Sequence, residues 1–144
     1  MNGPDIHGPV DTLILEFPAS AQGAATAQAL RDLVDSDTIR LYDLLLVRRH
    51  DDGHCEELDL AAAPESAGAL RSFAGARSGL LGLEDVEALA EVIKPGATAV
   101  AFVYENAWAI PFVAAARSEG AELVAATRIT VEQIISALDA IESN

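Results

Sequence analysis

Some stretches of this chain are apolar at nearly every position, and others only at every third or fourth. The first kind reads as buried strand and the second as amphipathic helix. Leu13 to Phe17 (LILEF) is a short apolar run closed by Pro18. Ser20 is placed to cap a helix running to about Ser36, with Leu30, Leu33 and Val34 on one face. Ile39 to Arg49 (IRLYDLLLVRR) is the longest strand candidate. Asp51-Asp52-Gly53 then signals a hairpin, because Asp and Gly tolerate positive φ, and His54 to Leu60 returns as its second strand. Pro64 opens a short helix with Leu70 and Phe73 inward, and a breaker-rich connector, Gly75 to Gly82, follows it. Leu83 to Lys94 aligns Val86, Leu89, Ala90 and Ile93 on one face and is stopped by Pro95-Gly96. Thr98 to Glu105 is a strand, and about Ala107 to Glu119 a helix with Pro111 in its first turn. Leu123 to Ile129 is the last strand. Thr130 and Gln133 form a capping box before a final helix striped by Val131, Ile134, Ile135, Leu138 and Ile141.

The order β-α-β-β-α-α-β-α-β-α contains two β-α-β units, residues 13–49 and 98–129. Interleaved, they predict an α+β, ferredoxin-like sandwich: a mainly antiparallel sheet, an extra edge strand from the hairpin, and a C-terminal helix. A doubly wound sheet is the alternative, against which the hairpin argues. Residues 1–10, rich in Gly and Pro, read as a flexible arm, and 11–144 as a single domain.

The strands do not alternate cleanly. Leu41, Asp43, Leu45 and Val47 oppose Tyr42, Leu44, Leu46 and Arg48, while Val100, Phe102 and Tyr104 oppose Ala99, Ala101 and Val103. Helices on one face would leave the other too apolar for water. Either the final helix folds over it or a second subunit does, and a symmetric homodimer is the expected solution.

Composition narrows the partners. The formal charge is −14 from 23 acids against nine bases, which would be repelled by nucleic acid and by an anionic membrane surface. Between Pro95 and Ala116 the only charge is Glu105, but Pro95, Gly96, Asn106 and Pro111 break the run, so a strand followed by a packed helix fits better than a span. One cysteine, Cys55, permits a reducing compartment, and MNGPDIHGPV lacks the cationic and apolar regions of a secretory signal. The expectation is a cytoplasmic protein.

The candidate chemistry is thin. His50, His54 and Cys55 at the hairpin are metal-ligand types without a firm fourth ligand. A two-residue loop would set His50 against Cys55. A three-residue loop would set His50 against His54 and Arg48 against Glu56. Glu16 and Glu105 are strand-end carboxylates that an antiparallel sheet would hold near opposite ends. Tyr42, Tyr104 and Trp108 could line a pocket with either of them. No phosphate loop, no GxSxG and no cofactor motif is present, and no cofactor is expected.

LILEFP, IRLYDLLLVRR before DDG, GLLGLEDVEALAEVIKPGATAVAFVYENAWAIP and the closing RIT together resemble a domain-of-unknown-function family of short acidic proteins from high-GC Gram-positive bacteria. The chain is also remotely similar to a bacterial membrane-protein family of unknown function that carries a glycine-zipper insert between comparable halves. That insert would fall near residues 61–82, where PESAGALRSFAGARSGLLG is too short and, with Arg71 and Arg77, too charged to enter a bilayer. The resemblance implies a soluble relative and brings no catalytic residues. The expected function is therefore self-association or binding of a protein partner in a stress or regulatory setting, with catalysis disfavoured. The alternative is a small-molecule binder or enzyme with the acidic, aromatic pocket just described.

Overall fold

The computed structural model describes residues 7–18, 23–63, 65–122, 124–125, 129 and 131–142. It is an α+β protein built on a four-stranded antiparallel sheet: β1 (Val10–Phe17), β2 (Arg40–Arg49), β3 (Cys55–Leu58) and β4 (Thr98–Glu105), in the order β1-β4-β2-β3. Helix α1 (Ala24–Asp35) joins β1 to β2, and β4 lies between those two strands, antiparallel to both. This is a split β-α-β unit, with the hairpin strand β3 extending the far edge as expected. Of the strand expected at 123–129, Leu123 and 126–128 lie outside the described residues, and Val124, Ala125 and Ile129 are not in a strand. Ser20, Pro64 and Thr130 also lie outside.

The poor alternation of the strands has a plain cause: helices cover both faces. Leu44, Leu46, Val100 and Phe102 pack on one face against Ala27 and Leu30 of α1 and against Leu60 and Leu70 of two 3-10 helices, Leu60–Ala62 and Glu65–Ala76. On the other face Leu45, Val47, Ala99 and Ala101 meet Val86 and Leu89 of α2 (Leu83–Ala90), followed by Ile93. The run Leu44-Leu45-Leu46-Val47 is consequently buried at every position. Each such side chain contributes about 1.5–3 kcal/mol by leaving water.

This corrects the expectation that the second face waits for the final helix or a second subunit. Helix α2 takes the β2–β4 part of it, because Pro95-Gly96 turns the chain straight back into β4. Gly96 makes that turn at a φ of 83°, against Asp51. The β1 margin stays open, with Val10 and Ile14 half exposed.

Beyond β4 the chain forms a short 3-10 turn and then α3 (Ile110–Ser118), whose first turn holds Pro111 where no helical donor is lost. The last helix is α4 (Val131–Glu142). No helix among the described residues is long and apolar enough to cross a membrane.

Candidate functional site

The polar chemistry concentrates on the α2 face of the sheet, around a break in the β2–β4 ladder. Arg40 pairs with Glu105 and Leu41 with Tyr104, but Asp43, not Tyr42, pairs with Val103. Tyr42 is the extra residue of a β-bulge, which re-aims side chains and terminates regular pairing. Two carboxylates, Glu105 and Asp43, flank it, and both are completely buried.

Glu105 ends β4 and accepts from every side. The Gly8 backbone N–H (2.7 Å) and His7 Nδ1 (3.2 Å) meet Oε2. The Tyr42 hydroxyl donates to Oε1 at 2.7 Å, and Arg40 Nη1 lies 3.4 Å from the same oxygen. A Cβ at residue 8 would overlap the Asn106 carbonyl oxygen, so only glycine lets the N-terminal segment approach this closely. The Asn106 N–H completes the attachment by donating to the Pro9 carbonyl at 2.8 Å.

Asp43 serves the connector after the long 3-10 helix. Its Oδ1 accepts from the Ser78 and Leu44 N–H groups at 2.7 and 2.9 Å, and its Oδ2 from the Leu81 N–H and Arg77 Nη1 at 2.7 Å each. Arg77 also donates to Glu57 Oε2 at 2.8 Å and to the Leu81 carbonyl at 2.6 Å. Tyr42 touches both networks, its hydroxyl on Glu105 and its carbonyl accepting from Ser78 Oγ at 2.6 Å.

Burial alone would raise both carboxyl pKa values. For Asp43 the Leu81, Ser78 and Arg77 bonds outweigh it, and for Glu105 the Tyr42, Gly8 and His7 bonds with the Arg40 charge do, so both are held below the usual range. The Tyr42 hydroxyl is raised by burial and by the adjacent Glu105 charge. Depressed carboxyl pKa values mean the folded state binds fewer protons than the unfolded one. Their stabilisation is full above the unfolded value of about 4 and is lost as pH falls through the folded values. Denaturant midpoints should therefore stay flat from about pH 7 to about pH 5 and drop below about pH 4, with a shallower drop in Asp43→Asn. An unchanged acid limb in that variant would remove Asp43 from the account.

The other expected site residues are dispersed. Glu16 is exposed and accepts from the Lys94 N–H at 2.9 Å. It pairs with Ala99, whereas Glu105 pairs with Val10, so the two carboxylates sit at opposite ends of β1, about 20 Å apart at the rise of a strand. Tyr104 packs beside Phe102 on the α1 face, with ring centroids 5.5 Å apart. Trp108 is exposed, donating from Nε1 to Asn106 Oδ1 at 3.2 Å. It borders a cleft of about 700 Å³ with Val34, Asp37, Arg40, Ile110 and Pro111, to which neither tyrosine nor either glutamate contributes.

At the hairpin Arg49 pairs with Cys55 and Arg48 with Glu56, the register of a three-residue loop. His50 stacks on His54 at 5.8 Å and bonds Glu56 through Nε2 at 2.7 Å. Cys55 instead packs under α2, where burial raises its thiol pKa. The three residues thus form no common ligand set, and among the described residues no group of three His, Cys, Asp or Glu side chains could hold a metal ion.

Sequence reasoning missed Arg77 and the loop donors entirely, treating Gly75 to Gly82 as a connector. The available signal was Asp43, an acid inside an otherwise apolar strand, which must find donors when buried. What the arrangement does chemically is hold two carboxylates ionised while spending their acceptor positions on the chain's own donors.

A family model described as a family of unknown function, DUF6325, matches residues 6–144. The chain belongs to the DUF6325 family. No curated protein matches it, and no solved structure does.

Proposed function

We propose that this DUF6325 protein works by self-association as a homodimer, in a stress or regulatory setting in the cytoplasm, and not by catalysis. One observation carries the reading. Among the described residues from Ile110 onward none is fully buried, although this last quarter of the chain is rich in large apolar side chains. In α4 the residues Val131, Ile134, Ile135, Leu138 and Ile141 are between 47% and 70% exposed.

The spacing 131-134-138-141 is the three-four alternation of a helix-pairing seam, and Ile135 and Ala137 flank it. The acids Glu132 and Asp139 lie off that seam. Glu142 flanks the seam at its C-terminal end, while its centre from Ile134 to Leu138 carries no charge despite the net charge of −14. A monomer rarely leaves so much contiguous apolar surface in water, and a two-fold pair is the simplest cover.

A remote likeness to glycine-zipper membrane proteins would make this chain a soluble relative. The corresponding stretch here is a 3-10 helix tied to the body, with Arg71 donating to the Ala63 carbonyl and Arg77 to Asp43. Of the residues named for the acidic, aromatic pocket, Tyr42 and Glu105 bond each other, while Glu16, Tyr104 and Trp108 lie elsewhere, so nothing favours the small-molecule reading.

Leu138→Glu tests the proposal. The position is exposed, so folding stability should change by no more than about 0.5 kcal/mol, while a charge in the seam should shift the wild-type dimer to monomer. Light scattering and thermal melting read the two effects. A dimer that tolerates the charge would exclude α4 as the contact.

A further inference from the structure

We infer that the outer edge of β1 belongs to the dimer contact, the β1 strands of the two copies joining antiparallel about the dimer's two-fold axis into one continuous eight-stranded sheet. The inference rests on the self-association reading and names a surface for it.

The edge is open in a specific way. β1 is the last strand of the sheet on its side. The Asn106 N–H donates to the Pro9 carbonyl, so Pro9, and by alternation Asp11, Leu13, Leu15 and Phe17, turn their backbone groups toward β4. Val10, Thr12, Ile14 and Glu16 then direct N–H and C=O outward, and these are the exposed positions of the strand. An eight-residue edge with an apolar centre is a template for another strand. The opposite edge is blunted: β3 has four residues, with Glu56 bonded to His50 and Glu57 to Arg77.

A second copy fits because the strand is nearly palindromic in character about Ile14, reading Thr-Leu-Ile-Leu-Glu from 12 to 16. In a two-fold pair with its axis perpendicular to the sheet, only residues of the same face can oppose one another. Centring on Ile14 sets Ile14 against its copy, Leu13 against Leu15, Thr12 against Glu16 and Asp11 against Phe17. No acid opposes an acid, because Asp11 and Glu16 lie on opposite faces. Leu13 of the second copy also arrives beside the apolar groove of about 150 Å³ between Leu15 and Leu33 of α1.

The test uses the full chain. Proline at 14 removes an outward N–H and leaves the β4 ladder intact, and lysine at 14 sets charge against charge at the axis. Both Ile14→Pro and Ile14→Lys should weaken the dimer by about 100-fold or more in sedimentation between about 1 and about 100 µM. Circular dichroism checks that each variant folds, and the lysine variant stands alone if the proline does not. In wild type the Thr12, Ile14 and Glu16 amides should be protected from hydrogen exchange in the dimer, and should exchange rapidly in the Ile14→Lys monomer. A dimer indifferent to both substitutions yet dissociated by Leu138→Glu would overturn the edge inference and leave self-association standing. A wild-type chain that is monomeric throughout, whether or not its edge amides are protected, would overturn both.

Discussion

Asp43→Ala should destabilise the protein by about 3–5 kcal/mol, enough to leave a marginal domain largely unfolded at ambient temperature. The side chain is completely buried and its two oxygens receive three backbone N–H groups and the Arg77 guanidinium. Truncation strands the Ser78 and Leu81 N–H groups in an apolar setting and removes one of the two carboxylates that compensate the Arg77 charge. The connector holding α2 against the sheet would loosen with it, exposing Leu45, Val47 and Ala101. Asp43→Asn should cost less, about 1–3 kcal/mol, because the amide oxygen still accepts while its NH2 faces donors. Chemical denaturation at neutral pH measures both. If the alanine variant lost under about 1 kcal/mol, the Asp43 network would not be what fixes this loop.

Glu105→Leu should follow closely, at about 2–4 kcal/mol, with a local signature as well as a global one. Leucine nearly preserves the volume but leaves the Gly8 N–H and the Tyr42 hydroxyl facing hydrocarbon, while the more exposed Arg40 loses its partner. The N-terminal segment should detach first, since His7 and Gly8 both bind the carboxylate, so the Gly8 amide should exchange far faster than amides in β2. Tyr42→Phe removes one donor of the set and should cost about 1 kcal/mol without freeing the segment. A Glu105→Leu protein of wild-type stability with Gly8 still protected would contradict this reading.

Much of the fold was legible because it rests on local rules. The hairpin shows in Asp51-Asp52-Gly53, although its loop length, and with it the register of Arg48 against Glu56, stayed open between two alternatives, and Pro111 sits in a first helical turn where its missing N–H is harmless. The stripe Val86, Leu89, Ile93 shows that α2 buries one side, but periodicity does not say against which face of a sheet. That choice was settled by the short Pro95-Gly96 return and by Arg77 reaching Asp43 across 34 positions of sequence, neither of which has a local signature. Glu16 and Glu105 look equivalent in the sequence, both acids at strand ends. They differ because a glycine eight residues into the chain can approach one of them and not the other. The candidate site was therefore half visible: Glu105 and Tyr42 could be named, while Asp43's donors, His7 and Gly8 come from distant segments.

Apolar surface left open by one chain is closed by another if the protein self-associates. Sedimentation equilibrium of the full-length protein at neutral pH and moderate salt decides this most directly. A species of twice the 15.1 kDa chain mass at micromolar concentration is the predicted result, and a single 15.1 kDa species over the whole concentration range would contradict it.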